Sequence, residues 1–161
     1  MQVTSSSLNV SGTSTDWRGV ALSNFSLSPF VLDDILLASL EGFIQGIKFP
    51  ETDPRRAIAF CSSGWDAKSL ASQADRSAVY WAGASIAYGS TEHHQLIGQA
   101  ICTRIEQSIG LQKVLISTEG LTLIHETGSE PESSTTSLPA TVFCRIMTDL
   151  REKLLLKRRQ G

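Results

Sequence analysis

The segment LEGFIQGIKF, residues 40–49, constrains the fold of this chain more than any other stretch. Its apolar spacing is helical, and Pro50 ends the helix because its ring disfavours α geometry in the residue before it. At about 100° per residue, Glu41, Gln45 and Lys48 fall within one arc of roughly 60°, while Leu37, Leu40, Ile44 and Ile47 fill the neighbouring arc. The polar stripe therefore runs along the margin of a buried face rather than opposite it. Gly42 and Gly46 lie on its other side. Each costs about 1 kcal/mol relative to alanine inside a helix, so a close approach by backbone or ligand is the expected compensation. Two arrangements fit the pattern: a solvated face carrying a weak Glu/Lys surface pair, or a stripe that lines a cleft.

The flanking sequence supplies the other elements. FSLSPFVLDD, residues 25–34, reads as a short strand leaving a proline turn, with Asp33 or Asp34 capping the helix that carries the stripe. Asp53-Pro54 begins a helix closed by Gly64, and residues 65–81 form a second helical candidate. Ser90 caps the clearest helix, with Glu92 in its first turn and Leu96, Ile97, Ala100, Ile101 and Ile105 on one side. KVLISTEGLTLIH, residues 113–125, reads as a β-hairpin turning at Glu119-Gly120. A polar loop over residues 126–139 is longer than most connections in compact domains. The last helix, from Ala140, buries Val142, Phe143, Ile146, Leu150 and Leu154, and its Lys157, Arg158 and Arg159 suit a helix C-terminus. The expected fold class is α+β: one predominantly helical domain over residues 17–161 with a small antiparallel hairpin or sheet, preceded by a Ser/Thr-rich flexible segment over residues 1–16.

Composition narrows the function classes. A net charge of −2 gives no global attraction to nucleic acid or anionic membrane, so any nucleic-acid contact must be local. The longest apolar runs are too short to span a bilayer, and the first fifteen residues have neither a basic start nor an apolar core, so a cytoplasmic location is expected. Cys61, Cys102 and Cys144 are far apart and form no CxxC pair, which argues against a disulfide framework or a zinc site and for small buried hydrophobes. No strand–GxGxxG–helix unit or GxxxxGK[ST] loop is present, so neither a Rossmann site nor a P-loop is supported. No cofactor and no metal are expected. His93 and His94 are adjacent and point about 100° apart on a helix, with no third ligand spaced for them.

LSNF at residues 22–25, PFVLDD at 29–34 and SLEGFIQGIKF at 39–49 resemble, in order and spacing, the opening of the NADAR family of YbiA-like proteins. Trp65-Asp66 is similar to the family's Trp-Asp pair, LISTEGLTLIH to its Leu-x-x-Thr-Gly…Leu hairpin, and CRIMTDLRE to its closing helix. The likeness spans roughly residues 17–155. Gly42 stands where the family usually has His, His125 stands where an acidic residue is common, and the family's Trp-Gly…Gly-x-Asn-x-Leu-Gly stretch has no counterpart beyond SSTTSLPA. The resemblance implies cleavage of an N-glycosidic bond at ribose, as in ADP-ribosylated guanine or an early riboflavin-pathway intermediate. It also implies that the polar stripe lines a cleft.

That chemistry needs negative charge near C1, a proton for the departing base and a nucleophile. Glu41 supplies the charge or activates water. Lys48 holds Glu41 ionised, donates to an oxygen, or attacks the opened sugar as a neutral amine, and the sequence leaves these open. Asp66 is the second carboxylate candidate. Gln45 orients ribose hydroxyls, and Trp65 and Trp81 offer stacking faces. Asn24 and Phe25 of the SNF element, the Tyr88-Gly89-Ser90 helix start and His93 complete the expected binding set. The expected partner is a small-molecule nucleotide or an ADP-ribosylated nucleic-acid base, with no membrane partner. The rival functional class is a binding protein that keeps the cleft without turnover.

Overall fold

The structure is a computed structural model that describes residues 6–128, 132–133 and 136–161. Its elements, in chain order, are β1 (Ser7–Asn9), α1 (Trp17–Leu22), β2 (Phe30–Leu32), β3 (Ile35–Leu37), α2 (Leu40–Gly46), α3 (Pro54–Phe60) and α4 (Gly64–Leu70). A 3-10 turn (Ala71–Gln73) leads to β4 (Ala78–Trp81), β5 (Ala84–Ala87), α5 (Thr91–Glu106), α6 (Ile109–Ser117), β6 (Thr122–Ile124) and α7 (Ala140–Gln160). This is the expected α+β architecture, dominated by helices. Among the described residues no helix is long and apolar enough to cross a membrane.

Among the described residues the strands form three pairs. β2–β3 and β4–β5 are antiparallel hairpins, whereas β1 pairs β6 in parallel, Ser7 opposite Thr122. Both hairpins turn through two residues with positive φ, Asp33 and Asp34 in the first and Ala82 and Gly83 in the second. That is the backbone twist a two-residue hairpin prefers, and aspartate tolerates it because its short polar side chain bonds locally. Asp33-Asp34 is therefore a hairpin turn and not the cap of α2. Ser39 caps that helix instead: its Oγ accepts from the Gly42 N–H at 2.9 Å and donates to the Ser62 carbonyl at 2.8 Å.

Four other expectations are corrected. Residues 65–81 are helical only to Leu70, with the 3-10 turn after it, and AVYW is strand β4, where β-branched and aromatic residues pack well on a pleat. Residues 113–125 form no hairpin: Lys113–Ser117 complete α6, and β6 finds its partner at the other end of the chain. The loose start expected over residues 1–16 does not hold from residue 6 onward, because β1 joins β6 and buries Leu8 and Val10. Residues 1–5 of that segment lie outside the described residues, as do 129–131 and 134–135 of the long polar loop. Cys61 is exposed rather than a buried hydrophobe.

The core lies between α2, α5 and α7. Phe43, Ile47, Ile97, Ile101, Ile105, Phe143 and Met147 are sealed from solvent together with Trp81 of β4. The two glycines of α2 are explained by this packing. A Cβ on Gly42 would lie 2.5 Å from the Ala59 carbonyl oxygen and 2.6 Å from that of Ser62, and one on Gly46 would run into the Phe60 ring. The close approach they permit is to α3 and the turn after it.

Buried arginines brace the fold through backbone carbonyls. Arg104 donates to the carbonyls of Ala21 (2.9 Å) and Leu22 (3.4 Å), Arg151 to those of Thr118 (2.8 Å) and Leu121 (2.9 Å), and Arg56 to those of Phe49 (3.0 Å) and Tyr80 (2.8 Å). Each guanidinium supplies donors to carbonyls left over at a helix end, a turn or, for Tyr80, a strand edge.

Candidate functional site

Helix α2 delivers the polar stripe into the interior. Glu41, Gln45 and Lys48 are 7%, 6% and 4% exposed, so the solvated-face arrangement is excluded. They form one hydrogen-bonded chain: Gln45 Nε2 donates to Glu41 Oε1 at 2.6 Å, and Lys48 Nζ donates to Gln45 Oε1 at 2.8 Å. A carboxylate accepts and an ammonium donates, so this orientation of the amide serves both neighbours. Lys48 lies beyond the last residue of α2, where its N–H bonds the Gln45 carbonyl at 3.2 Å, and this turn carries Nζ to 5.9 Å from the centre of the Tyr88 ring.

The electrostatics follow from burial. Loss of water pushes the Glu41 carboxyl above its ordinary range, against the Gln45 hydrogen bond and the charges of Lys68, Lys48 and His125. Burial, with Arg76 and Lys68 nearby, lowers the Lys48 ammonium to about 8 although Glu41 opposes the change. The surroundings of the carboxylate are thus cationic. Lys68, Arg76 and His125 were not among the residues expected at the site. Lys68 follows Trp65 by three residues on α4, a spacing that could have revealed it, whereas Arg76 and His125 arrive through tertiary structure.

The SNF element borders α2 directly. The Glu41 N–H donates to the Asn24 carbonyl at 3.0 Å, and the Phe25 N–H to Ser23 Oγ at 3.1 Å. Phe25 meets Trp65 edge to face at 5.3 Å, and Lys68 Nζ lies 5.1 Å from the Trp65 ring and 5.7 Å from Phe25. Trp65 is 63% exposed, so this aromatic pair is open to a stacking partner. Arg104 on the otherwise apolar face of α5 holds the carbonyls just before the SNF turn, and its polar type at an apolar position was the overlooked signal.

The remaining expected residues divide. Tyr88 is brought in: its hydroxyl bonds Ser137 Oγ at 2.8 Å, which ties the end of the 126–139 loop to the site, and its ring packs 4.9 Å from His93. His93 is fully buried on α5. Trp81 does not belong to a stacking surface. It is packed between Phe43 and Phe60, and its Nε1–H donates to Asp33 at 2.8 Å. Asp66 is exposed in the first turn of α4 and takes no part in the Glu41–Gln45–Lys48 chain. Just before and within the first turn of α5 the Gly89 N–H bonds His93 Nδ1, the Ser90 N–H the Ala87 carbonyl, and the His93 N–H the Ser90 hydroxyl. Surface depressions of about 720 and 600 Å³, one edged by Lys113 and Arg158 and the other by Thr15 and Trp17, share no residue with the site.

Comparison with known proteins bears on the family and the fold. The family model described as Bacteriophage protein GP30.3 matches residues 16–152. The uncharacterized 17.1 kDa protein of the Gp30-rIII intergenic region of Enterobacteria phage T4 is 32% identical over 142 residues, covering 86% of this chain and 93% of that protein. The NMR structure of the E. coli protein YbiA superposes with a TM-score of 0.66 at 17% identity, over 99% of this chain and 94% of YbiA. That last likeness is one of fold.

Proposed function

The chain belongs to the bacteriophage protein GP30.3 family, as a divergent NADAR-like member, and from that membership and the geometry we propose that it hydrolyses an N-glycosidic bond at ribose. The substrate class is an ADP-ribosyl or ribosyl-phosphate compound. The observation that carries this reading is the buried chain from Glu41 through Gln45 to Lys48. The NADAR-like fold, within a group whose members cleave such bonds, supports it.

In hydrolysis the C1–N bond breaks with its electron pair going to the base nitrogen, and that nitrogen gains a proton. C1 becomes electron-poor, takes the oxygen of water, and the water loses a proton. Glu41 is the group to face C1: its charge offsets the developing cation, and its raised basicity lets it accept the water proton. Gln45 fixes the carboxylate's position. Lys48, lowered to about 8, is mostly an ammonium at neutral pH and donates to a substrate oxygen, while its minor neutral fraction is a competent nucleophile toward an opened sugar. Phe25 and Trp65 offer the stacking face for the base, and Lys68 and Arg76 suit phosphate oxygens. Asp66, exposed on the helix that carries Trp65, has no role in this scheme.

The test is incubation with ADP-ribosylated guanosine and with riboflavin-pathway ribosyl-phosphates, followed by mass spectrometry. Release of free base by the wild type and its loss in Glu41→Gln support hydrolysis. Saturable binding without product turns the reading into a non-catalytic nucleotide-binding protein. Borohydride trapping of a sugar on Lys48 assigns the covalent route; turnover without trapping assigns the ammonium role.

A further inference from the structure

Among the described residues, four buried side-chain polar atoms have no hydrogen-bond partner: the Nε atoms of Arg104 and Arg151, Asn24 Oδ1 and His93 Nε2. The two arginines are bonded through their other nitrogens. The other two atoms belong to the candidate site. An unsatisfied buried polar atom costs about 1–3 kcal/mol, so each marks a place where the fold supplies no partner of its own.

His93 is the more telling of the two because its ring state follows from its neighbours. Nδ1 accepts from the Gly89 N–H at 2.9 Å, so it carries no proton. In a neutral imidazole the proton is then on Nε2. The ring is 0% exposed, tilted against Tyr88 at 4.9 Å and against His94 at 6.0 Å. Lys48, whose ammonium lies 5.9 Å from the same Tyr88 ring, faces it from the end of α2, and His94 faces it from its own helix.

We infer that His93 is a neutral, orientationally fixed hydrogen-bond donor, presenting Nε2–H to an acceptor oxygen of the ligand, and is not the acid that protonates the leaving base. Donation from the Gly89 N–H polarises the ring toward donation at Nε2. Asn24 Oδ1 is the complementary acceptor, suited to a hydroxyl hydrogen. An acceptor oxygen at Nε2–H and a hydroxyl at Asn24 Oδ1 are both groups that a ribosyl phosphate carries. Burial, with His94 and Lys48 adding to it, holds the imidazole down at about 4, which agrees with a neutral ring throughout the physiological range. This inference rests on the proposed ribosyl site, and its failure is distinguishable from failure of that reading.

The test is long-range ¹H–¹⁵N spectroscopy of the wild-type histidine side chains from pH 5 to 8, without and with ADP-ribose. The expected result is an Nε2–H tautomer for His93 that does not titrate over this range, with the Hε2 resonance moving on addition of ADP-ribose. His93→Gln, which keeps a terminal N–H donor, should bind within about threefold of wild type, whereas His93→Phe should lose tenfold or more. An Nδ1–H tautomer, a titration near pH 6.5, or ligand shifts at Gln45 and Lys48 that leave Hε2 unmoved would each overturn the inference while leaving the site intact. No movement at any site residue with ADP-ribose or the riboflavin precursors overturns both.

Discussion

The carboxylate of Glu41 and the ammonium of Lys48 are joined without touching, each held by one end of the Gln45 amide. A direct buried pair would neutralise both charges. Separation by an amide keeps the carboxylate and the amine available while satisfying one bond of each, in a place largely shut from bulk solvent.

Replacing Gln45 with Met should therefore cost more than the lost packing. It leaves a buried carboxylate and a buried ammonium without their bridge, and the expected loss is roughly 2–4 kcal/mol. Urea unfolding of the variant against wild type measures it. A midpoint unchanged within error would show that the bridge carries no stability.

Stability should vary with pH in a way that His93 makes visible. Its folded-state value of about 4 is depressed below the ordinary 6.5. Between these two values the unfolded chain binds the proton that the folded chain excludes. Stability therefore rises as pH rises from about 4 to 6.5, by roughly 3 kcal/mol at most. The same sign applies to Lys48: its depressed value makes stability rise again between about 8 and 10.5. Subtracting the pH profile of His93→Gln from that of wild type should leave a slope confined to the acidic window.

Gly42→Ala should destabilise in spite of alanine's better helix propensity. The new methyl meets two backbone oxygens, at 2.5 and 2.6 Å, that cannot rotate away, and α2 must move off α3. Overpacking of this kind costs about 1–3 kcal/mol. Chemical denaturation gives the sign, and stabilisation would mean that the two helices separate freely.

Arg104→Met should loosen the SNF turn from a distance. The substitution removes the donors to the Ala21 and Leu22 carbonyls while keeping much of the side-chain volume. Hydrogen exchange at the Ser23, Asn24 and Phe25 amides should accelerate about tenfold, and ligand affinity should fall with it. Exchange confined to wild-type rates would remove Arg104 from the site's scaffold.

Deleting residues 1–10 should cost roughly 3–6 kcal/mol, from the two apolar side chains Leu8 and Val10 alone. It also removes the Val10 carbonyl that anchors His125 Nδ1 at 2.7 Å. A thermal midpoint equal to that of the full chain would show the segment to be dispensable.

Local spacing made some of this legible and non-local pairing hid the rest. The i, i+4, i+7 stripe could be read because α2 and the turn that continues it carry it, and Ser90 and Asp53-Pro54 were readable as caps because capping is equally local. Asp33-Asp34 misled because aspartate suits both a cap and a left-handed turn, and only pairing of β2 with β3 decides between them. Glu119-Gly120 looked like a hairpin turn because Gly120 does take a positive φ, but the preceding residues pack as α6 and the strand after it pairs elsewhere. Trp81 and Trp65 cannot be told apart by composition. The first has an acceptor and two rings around it, while the second is open to solvent, and that difference exists only in three dimensions.

The parallel pairing of β1 with β6 also orders events at the ribosome. A strand at Ser7–Asn9 that is completed only by Thr122–Ile124 has no strand partner while most of the chain is being synthesised. Strand β1 is thus secured only after β6 has been made, so this closure is a late, long-range step of folding.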